Sequence, residues 1–139
     1  MEPIYIVGVV IILFGWHPQW SVKDLTRQAV TTALQDAGCS ARQLQATYFS
    51  NATQGHMEGQ HMVRGQLALR AMGVEGIPVV NVENACASAS TALHLAVQHV
   101  RSGAADIVLA VGAEKMWSED KARMFAAFDG AWDVHDTEA

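Results

Sequence analysis

The sequence predicts an α/β fold in which a sheet is layered with helices, on three observations. Short continuous runs of β-branched residues alternate with segments of helical periodicity, glycines close the helical segments, and half of the 139 residues are hydrophobic against 17% charged. Alternating strand and helix patterns imply right-handed crossovers and a layered sheet. The length fits one ordinary domain, and the composition is that of a well-buried globule rather than a disordered or fibrous chain. The low charge fraction also predicts that part of the surface is covered, for instance by another subunit.

The elements follow in order. Ile4 to Val10 is a continuous apolar run, the pattern of a strand covered on both faces of a parallel sheet. Ser21 can cap a helix, with Asp24 placed at the positive end of its dipole. In that helix Val22, Leu25, Ala29, Val30, Ala33, Leu34 and Ala37 recur at helical spacing, and Gly38 ends it. Thr47 to Ser50 predicts a second strand, Asn51 to Gly59 a polar loop, and Gln60 to Met72 a second helix closed by Gly73. Ile77 to Val82 reads as a third strand entered through Pro78. A third helix runs from Ala87 to Arg101, with apolar residues around most of its circumference, which predicts burial on nearly every side. Ile107 to Val111, behind the turn at Gly103, completes the set with a fourth strand.

Composition and missing motifs narrow the function. A net charge of −5, from 9 basic and 14 acidic residues with no basic cluster, disfavours a sequence-independent grip on nucleic acid or anionic lipid. The apolar stretch from Ile4 to Trp16 is interrupted by Gly8 and Gly15 and is too short to span a bilayer. Glu2 rather than a basic segment precedes it, which disfavours a signal peptide. The cysteines, Cys39 and Cys86, lack disulfide-scaffold or metal-type spacing, so a reducing cytoplasm is the default location. Gly-x-Gly-x-x-Gly and Gly-Lys-Ser/Thr phosphate loops do not occur, and neither does the Gly-x-Ser-x-Gly elbow of α/β-hydrolases.

Chemistry in an open α/β sheet gathers at the carboxyl ends of strands, where helix amino termini point. The segment Val82 to Ser90 occupies such a junction, and Cys86 lies at the start of the third helix. Unsatisfied N–H groups and the positive dipole end favour negative charge there, the form in which sulfur attacks a carbonyl carbon. The small residues Ala87, Ser88 and Ala89 leave room for a substrate and for backbone N–H groups to reach a developing oxyanion. Local sequence leaves open the other reading of a lone cysteine, a small buried hydrophobe.

The stretch Asn81 to Leu93 around Cys86, followed by Asp106 to Met116, resembles the thiolase superfamily, most of all acetyl-CoA acetyltransferases and sterol-carrier-protein-type thiolases. The opening strand, the loop Gln54 to Gln60 and the element spacing extend the likeness over the whole chain, residues 1–139, as that family's amino-terminal half. The resemblance implies a thiolase-type half-domain with a mixed, mainly parallel sheet and a buried helix after the cysteine. It implies Cys86 as acyl-accepting nucleophile, Ala87 and Ser88 as substrate-binding residues, and coenzyme A as substrate with no bound cofactor or metal. Acyl groups would pass through an acyl-cysteine, in 3-ketoacyl-CoA thiolysis or in acetyl-CoA condensation.

Family members take a nucleophile-activating histidine, in Gly-His-Pro, and a second cysteine, in Cys-x-Gly, from a second half. Neither motif occurs in the sequence, and His17-Pro18 and Cys39 do not stand in those positions. The chain is thus expected to be an incomplete catalytic unit that seeks a complementary half or forms a homo-oligomer. The alternatives are a non-catalytic thiolase-fold module that binds acyl-CoA or a partner, and a ketoacyl-synthase or aldolase-type relative. Relatives follow the first Val-Gly with glycine and a small polar residue, whereas Val9 to Phe14 stays apolar, which lengthens the strand or exposes a sticky patch.

Other candidates read as structural. His56 and His61, and likewise His94 and His99, are five residues apart, about 140° around a helix, and are expected to face solvent or to pack rather than to bind metal. Met116, Trp117, Met124, Phe125, Phe128 and Trp132 could line an acyl path but are expected in a core or subunit contact. Asp129, Asp133, Asp136 and Glu138 read as a solvated acidic face.

Overall fold

Helix α1 (Val22–Asp36) forms where its cap and stripe place it. Ser21 Oγ accepts the Asp24 N–H at 3.2 Å while Asp24 Oδ2 accepts the Ser21 N–H at 2.9 Å, a reciprocal capping box. Val22, Leu25, Thr26 and Val30 form its buried face, and the chain leaves through Gly38 at φ 64°. The fold is seen in a computed structural model that describes residues 2–136.

Three parallel strands, β1 (Ala46–Ser50), β2 (Val79–Val82) and β3 (Val108–Gly112), form one sheet in the order β2-β1-β3. Thr47 is paired with Val79 on one side and Leu109 on the other, so β1 has neighbours along both edges. Among the described residues every strand pair is parallel, in keeping with the mainly parallel sheet expected and without the antiparallel pair that would make it mixed.

Alternation along the strands sends Phe49 and Val111 to one face, where α1 and helix α3 (Arg64–Arg70) supply Val22, Val30, Ala68 and Leu69. Phe49, 1% exposed, is the largest fully buried side chain. Gly65 permits this layer, because a Cβ there would meet Phe49 Cβ at 2.6 Å. Helix α4 (Ser88–Arg101) covers the opposite face, where Tyr48 Oη and His99 Nδ1 lie 3.0 Å apart.

The expected first strand is absent from the sheet. Residues 3–14 take no regular structure, and their links to the fold include Val9 N–H donating to Asp36 Oδ2 at 2.9 Å and Gly8 close against Ala33 of α1 and against Ala37, its C-cap. A strand exists by pairing with a neighbour, and this segment packs on a helix instead. Its apolar continuation therefore forms an exposed patch, with Leu13 84% exposed.

Three other elements differ. The expected loop after β1 contains helix α2 (Gln54–Glu58), stopped by Gly59 at φ 78°. The second helix starts only at Arg64, because Val63 is left-handed at φ 49° and breaks the helical run. Helix α4 is buried on one side only, through Ser88, Ala92 and Ala96, while Leu93 is 45% exposed. Its apolar circumference predicted burial on nearly every side, and among the described residues the sheet covers just one face.

A fifth helix, α5 (Lys121–Asp129), lies beyond the four strands that the sequence predicted. Asp120 caps it by accepting the Arg123 N–H at 3.0 Å. Asp129, Asp133 and Asp136 are exposed, as the acidic-face reading expects, and Glu138 lies outside the described residues.

Candidate active site

The chain leaves β1 towards α2 and α3 on one face of the sheet, and leaves β2 towards α4 on the other. A crevice opens between two carboxyl ends whose connections diverge in this way, the usual ligand position in an open α/β sheet. A cavity of about 920 Å³ occupies this end of the molecule, bounded by the loop after β1, the loop after β2 and the residues following β3. Cys86 lies in its wall and is exposed, which separates it from a buried structural thiol.

Cys86 sits in a 3₁₀ turn, Ala85–Ala87, directly before the first turn of α4. The Ala87 N–H donates to the Asn84 carbonyl at 2.9 Å and closes that turn. Ala85 has φ 45°, a value that costs a non-glycine residue about 1–3 kcal/mol. Ala87 is exposed beside the thiol, whereas Ser88 is 6% exposed. The Ser88 hydroxyl accepts the Asn84 N–H and donates to the Ala85 carbonyl, so it braces the turn from inside.

A second network shapes the floor of the cavity. Asn51, 4% exposed at the end of β1, donates through Nδ2 to the Ala113 carbonyl at 2.7 Å and to Glu114 Oε1 at 2.9 Å. Glu114 also accepts from the Ala52 and Thr53 N–H groups and from the Thr53 hydroxyl. Arg64 donates to the Asn51 carbonyl and Oδ1 at 2.8 and 2.9 Å, which ties the start of α3 to the same point. Sequence reading missed this network. Asn51 and Gln54 carry a local turn signature, with Asn51 Oδ1 accepting the Gln54 N–H, but Glu114 is more than sixty positions away and leaves no local signal.

The remaining candidates separate. Cys39 is half-buried, its thiol 3.5 Å from the Ala37 carbonyl, in a different hollow with Leu34 and Met72. His56 lies 2.9 Å from the Arg123 carbonyl and ties α2 to α5, while His99 packs on Tyr48. Among the described residues no three His, Cys, Asp or Glu side chains converge as metal ligands. Met116, Trp117 and Phe128 line the cavity, and Phe125 and Trp132 are exposed. These aromatic residues therefore form no core here; Trp117 instead meets Trp16 with ring centroids 5.5 Å apart.

Among the described residues no helix is long and apolar enough to cross a membrane. Comparison with known proteins adds to this geometry. The chain is 42% identical over 116 residues to "Non-specific lipid-transfer protein-like 2" of Caenorhabditis elegans, covering 81% of this chain and 27% of that protein. It is 34% identical over 136 residues to the acetyl-CoA acetyltransferase of Methanocaldococcus jannaschii, covering 96% of this chain and 34% of the relative. Sterol carrier protein 2 of Gallus gallus is 34% identical over 134 residues, covering 95% of this chain and 24% of the relative. The chain thus spans about a quarter to a third of the length of the curated relatives it matches.

The fold has solved counterparts in 3-oxoacyl-[acyl-carrier-protein] synthase III of Aquifex aeolicus and in the priming β-ketosynthase of the R1128 polyketide pathway. Each is 22% identical with a TM-score of 0.62; they cover 70% and 72% of this chain, and 31% and 29% of their own. The family description "Thiolase, N-terminal domain" matches residues 4–136, essentially all of the structure. The chain belongs to the thiolase family, whose N-terminal domain its residues 4–136 match.

Proposed function

We propose that this chain is the nucleophile-bearing half of a thiolase-type, CoA-dependent acyltransferase, with Cys86 as acyl acceptor. The observation that carries the reading is the placement of an exposed thiol before α4, in the wall of the cavity at the diverging ends of β1 and β2. The Cys86 thiolate attacks the thioester carbonyl carbon of an acyl-CoA, a new C–S bond forms to Cys86, and the C–S bond to CoA breaks. CoA leaves as a thiolate that takes a proton from solvent. In condensation the carbanion of a second acetyl-CoA then takes the acyl group, a C–C bond forms and the Cys86 thiolate is returned. In thiolysis Cys86 instead attacks the 3-keto carbon of a 3-ketoacyl-CoA, the C2–C3 bond breaks, the acetyl-CoA enolate takes up a proton, and free CoA then takes the acyl group from Cys86. The name of the Methanocaldococcus relative, acetyl-CoA acetyltransferase, supports this reaction class. Ala87 leaves space at the sulfur for the incoming acyl group, and Ser88 contributes through the turn it braces.

Complete turnover needs a base and a second cysteine, which the other half of a thiolase catalytic unit supplies on association with this one. The exposed apolar segment 4–14 and the aromatic rim of the cavity provide a face for that association. The test is incubation of the 139-residue chain with acetyl-CoA or acetoacetyl-CoA, followed by intact-mass and peptide analysis. A thioester confined to Cys86 and abolished in Cys86→Ser is the expected result. CoA-ester binding at this cavity without any thioester, even with a complementary half added, favours a non-catalytic binding module instead.

A further inference from the structure

Cys86 is carried on a turn that regular backbone geometry does not explain. Ala85, the residue before it, is left-handed at φ 45°, a conformation that glycine adopts freely and that the Cβ of other residues opposes. Such a conformation persists where the surroundings over-determine it. Ala85 is exposed, so burial does not supply the constraint.

Two side chains supply it. The Ala85 N–H donates to Glu83 Oε1 at 2.6 Å. On the other side of the same Cα, the Ala85 carbonyl accepts the Ser88 hydroxyl at 2.7 Å, and that hydroxyl accepts the Asn84 N–H at 2.8 Å. Both peptide units that flank Ala85 are therefore held. Relaxation of Ala85 to an ordinary right-handed or extended conformation rotates one of them, breaks one of these bonds and turns the Cys86 side chain out of its present direction.

We propose that Glu83 and Ser88 are positioning residues for the thiol: they lock Ala85 left-handed and so aim Cys86 into the cavity. The proposal rests on the reading of Cys86 as acyl acceptor, and it adds residues that act through the backbone rather than by touching substrate. It also assigns Glu83 a role that the local sequence does not announce, since an acid beside a nucleophilic thiol would otherwise read as unfavourable.

The test uses Cys39→Ser as background, so that Cys86 alone reports. Its probe is 5,5′-dithiobis(2-nitrobenzoate), whose exchange requires the attacking sulfur to approach along the disulfide axis and releases one nitrothiobenzoate per thiol. Rates are taken on the high-pH plateau, where ionisation no longer limits. Glu83→Ala and Ser88→Ala are expected to slow exchange roughly fivefold or more, while Glu83→Gln, which keeps the acceptor oxygen, stays within about twofold of the parent. Ala85→Gly added to Glu83→Ala is expected to restore the parent rate, because glycine needs no lock to be left-handed.

Far-UV circular dichroism identifies any variant that fails to fold, and if Ser88→Ala does, the surface pair Glu83→Ala and Glu83→Ala/Ala85→Gly decides. Parent-like exchange in a folded Glu83→Ala, or no restoration by Ala85→Gly, overturns the proposal. Acetyl-CoA labelling of the same variants keeps the two readings apart. Failure of Cys86 to acylate with the exchange pattern intact overturns the acyltransferase reading alone, and acylation with no exchange pattern overturns the positioning role alone.

Discussion

At the scale of single residues, burial and capping make the firmest predictions. Phe49 fills the space between the sheet and the layer of α1 and α3, at 1% exposure. Phe49→Ala is expected to cost about 3–5 kcal/mol, read as a lowered urea midpoint, because the cavity it leaves is walled by three elements. The Ser21 hydroxyl, then the Ser21 N–H, holds the Asp24 carboxyl below its ordinary value of 3.8, with attraction from Arg27 and Lys115 in support and slight burial opposing. A depressed folded value means that the cap stabilises the fold above the unfolded pKa and that this contribution is lost as pH falls through the folded one. Thermal melting followed downward from pH 5 is expected to show a shallower acid decline in Asp24→Asn than in the parent. Of the two thiols, exposed Cys86 is expected to alkylate with iodoacetamide faster than half-buried Cys39; peptide mass spectrometry showing equal labelling contradicts that order.

At the scale of elements, the breaks between helices carry more information than the helices. Residues 60–72 have enough helical periodicity to read as one element, yet Val63 at φ 49° delays α3 until Arg64. That β-branched left-handed residue stores strain of about 1–3 kcal/mol. Val63→Gly is therefore expected to stabilise the chain by about 1 kcal/mol after the greater flexibility of glycine in the unfolded state is subtracted, measured as a raised urea midpoint. No change or a loss would mean that the Val63 side chain contributes packing that outweighs its backbone strain. The same separation of α2 from α3 lets Arg64 reach Asn51 and complete the floor of the cavity.

At the scale of the whole molecule, the sheet has three strands and a fourth apolar run packs on α1 without joining the sheet. Replacing Val9, Ile11 and Leu13 together with serine is expected to leave the melting temperature nearly unchanged, since these side chains are exposed. It is expected to reduce self-association in sedimentation velocity, because the apolar patch is what drives contact. The sequence alone determined the α/β class, the capped first helix, the three paired strands to within two residues at either end, and the position of Cys86 before a helix. Those features are local: they depend on periodicity, on a cap within three residues and on β-branched runs. Only the tertiary structure decided that Ile4 to Val10 stays out of the sheet, that α4 is covered on one side, and that Asn51 and Glu114 meet beneath the cavity. It also decided that Ala85 is held left-handed by Glu83 and Ser88. An apolar pattern states which residues leave water but not which surface receives them, and a hydrogen bond across sixty positions depends on which strands become neighbours.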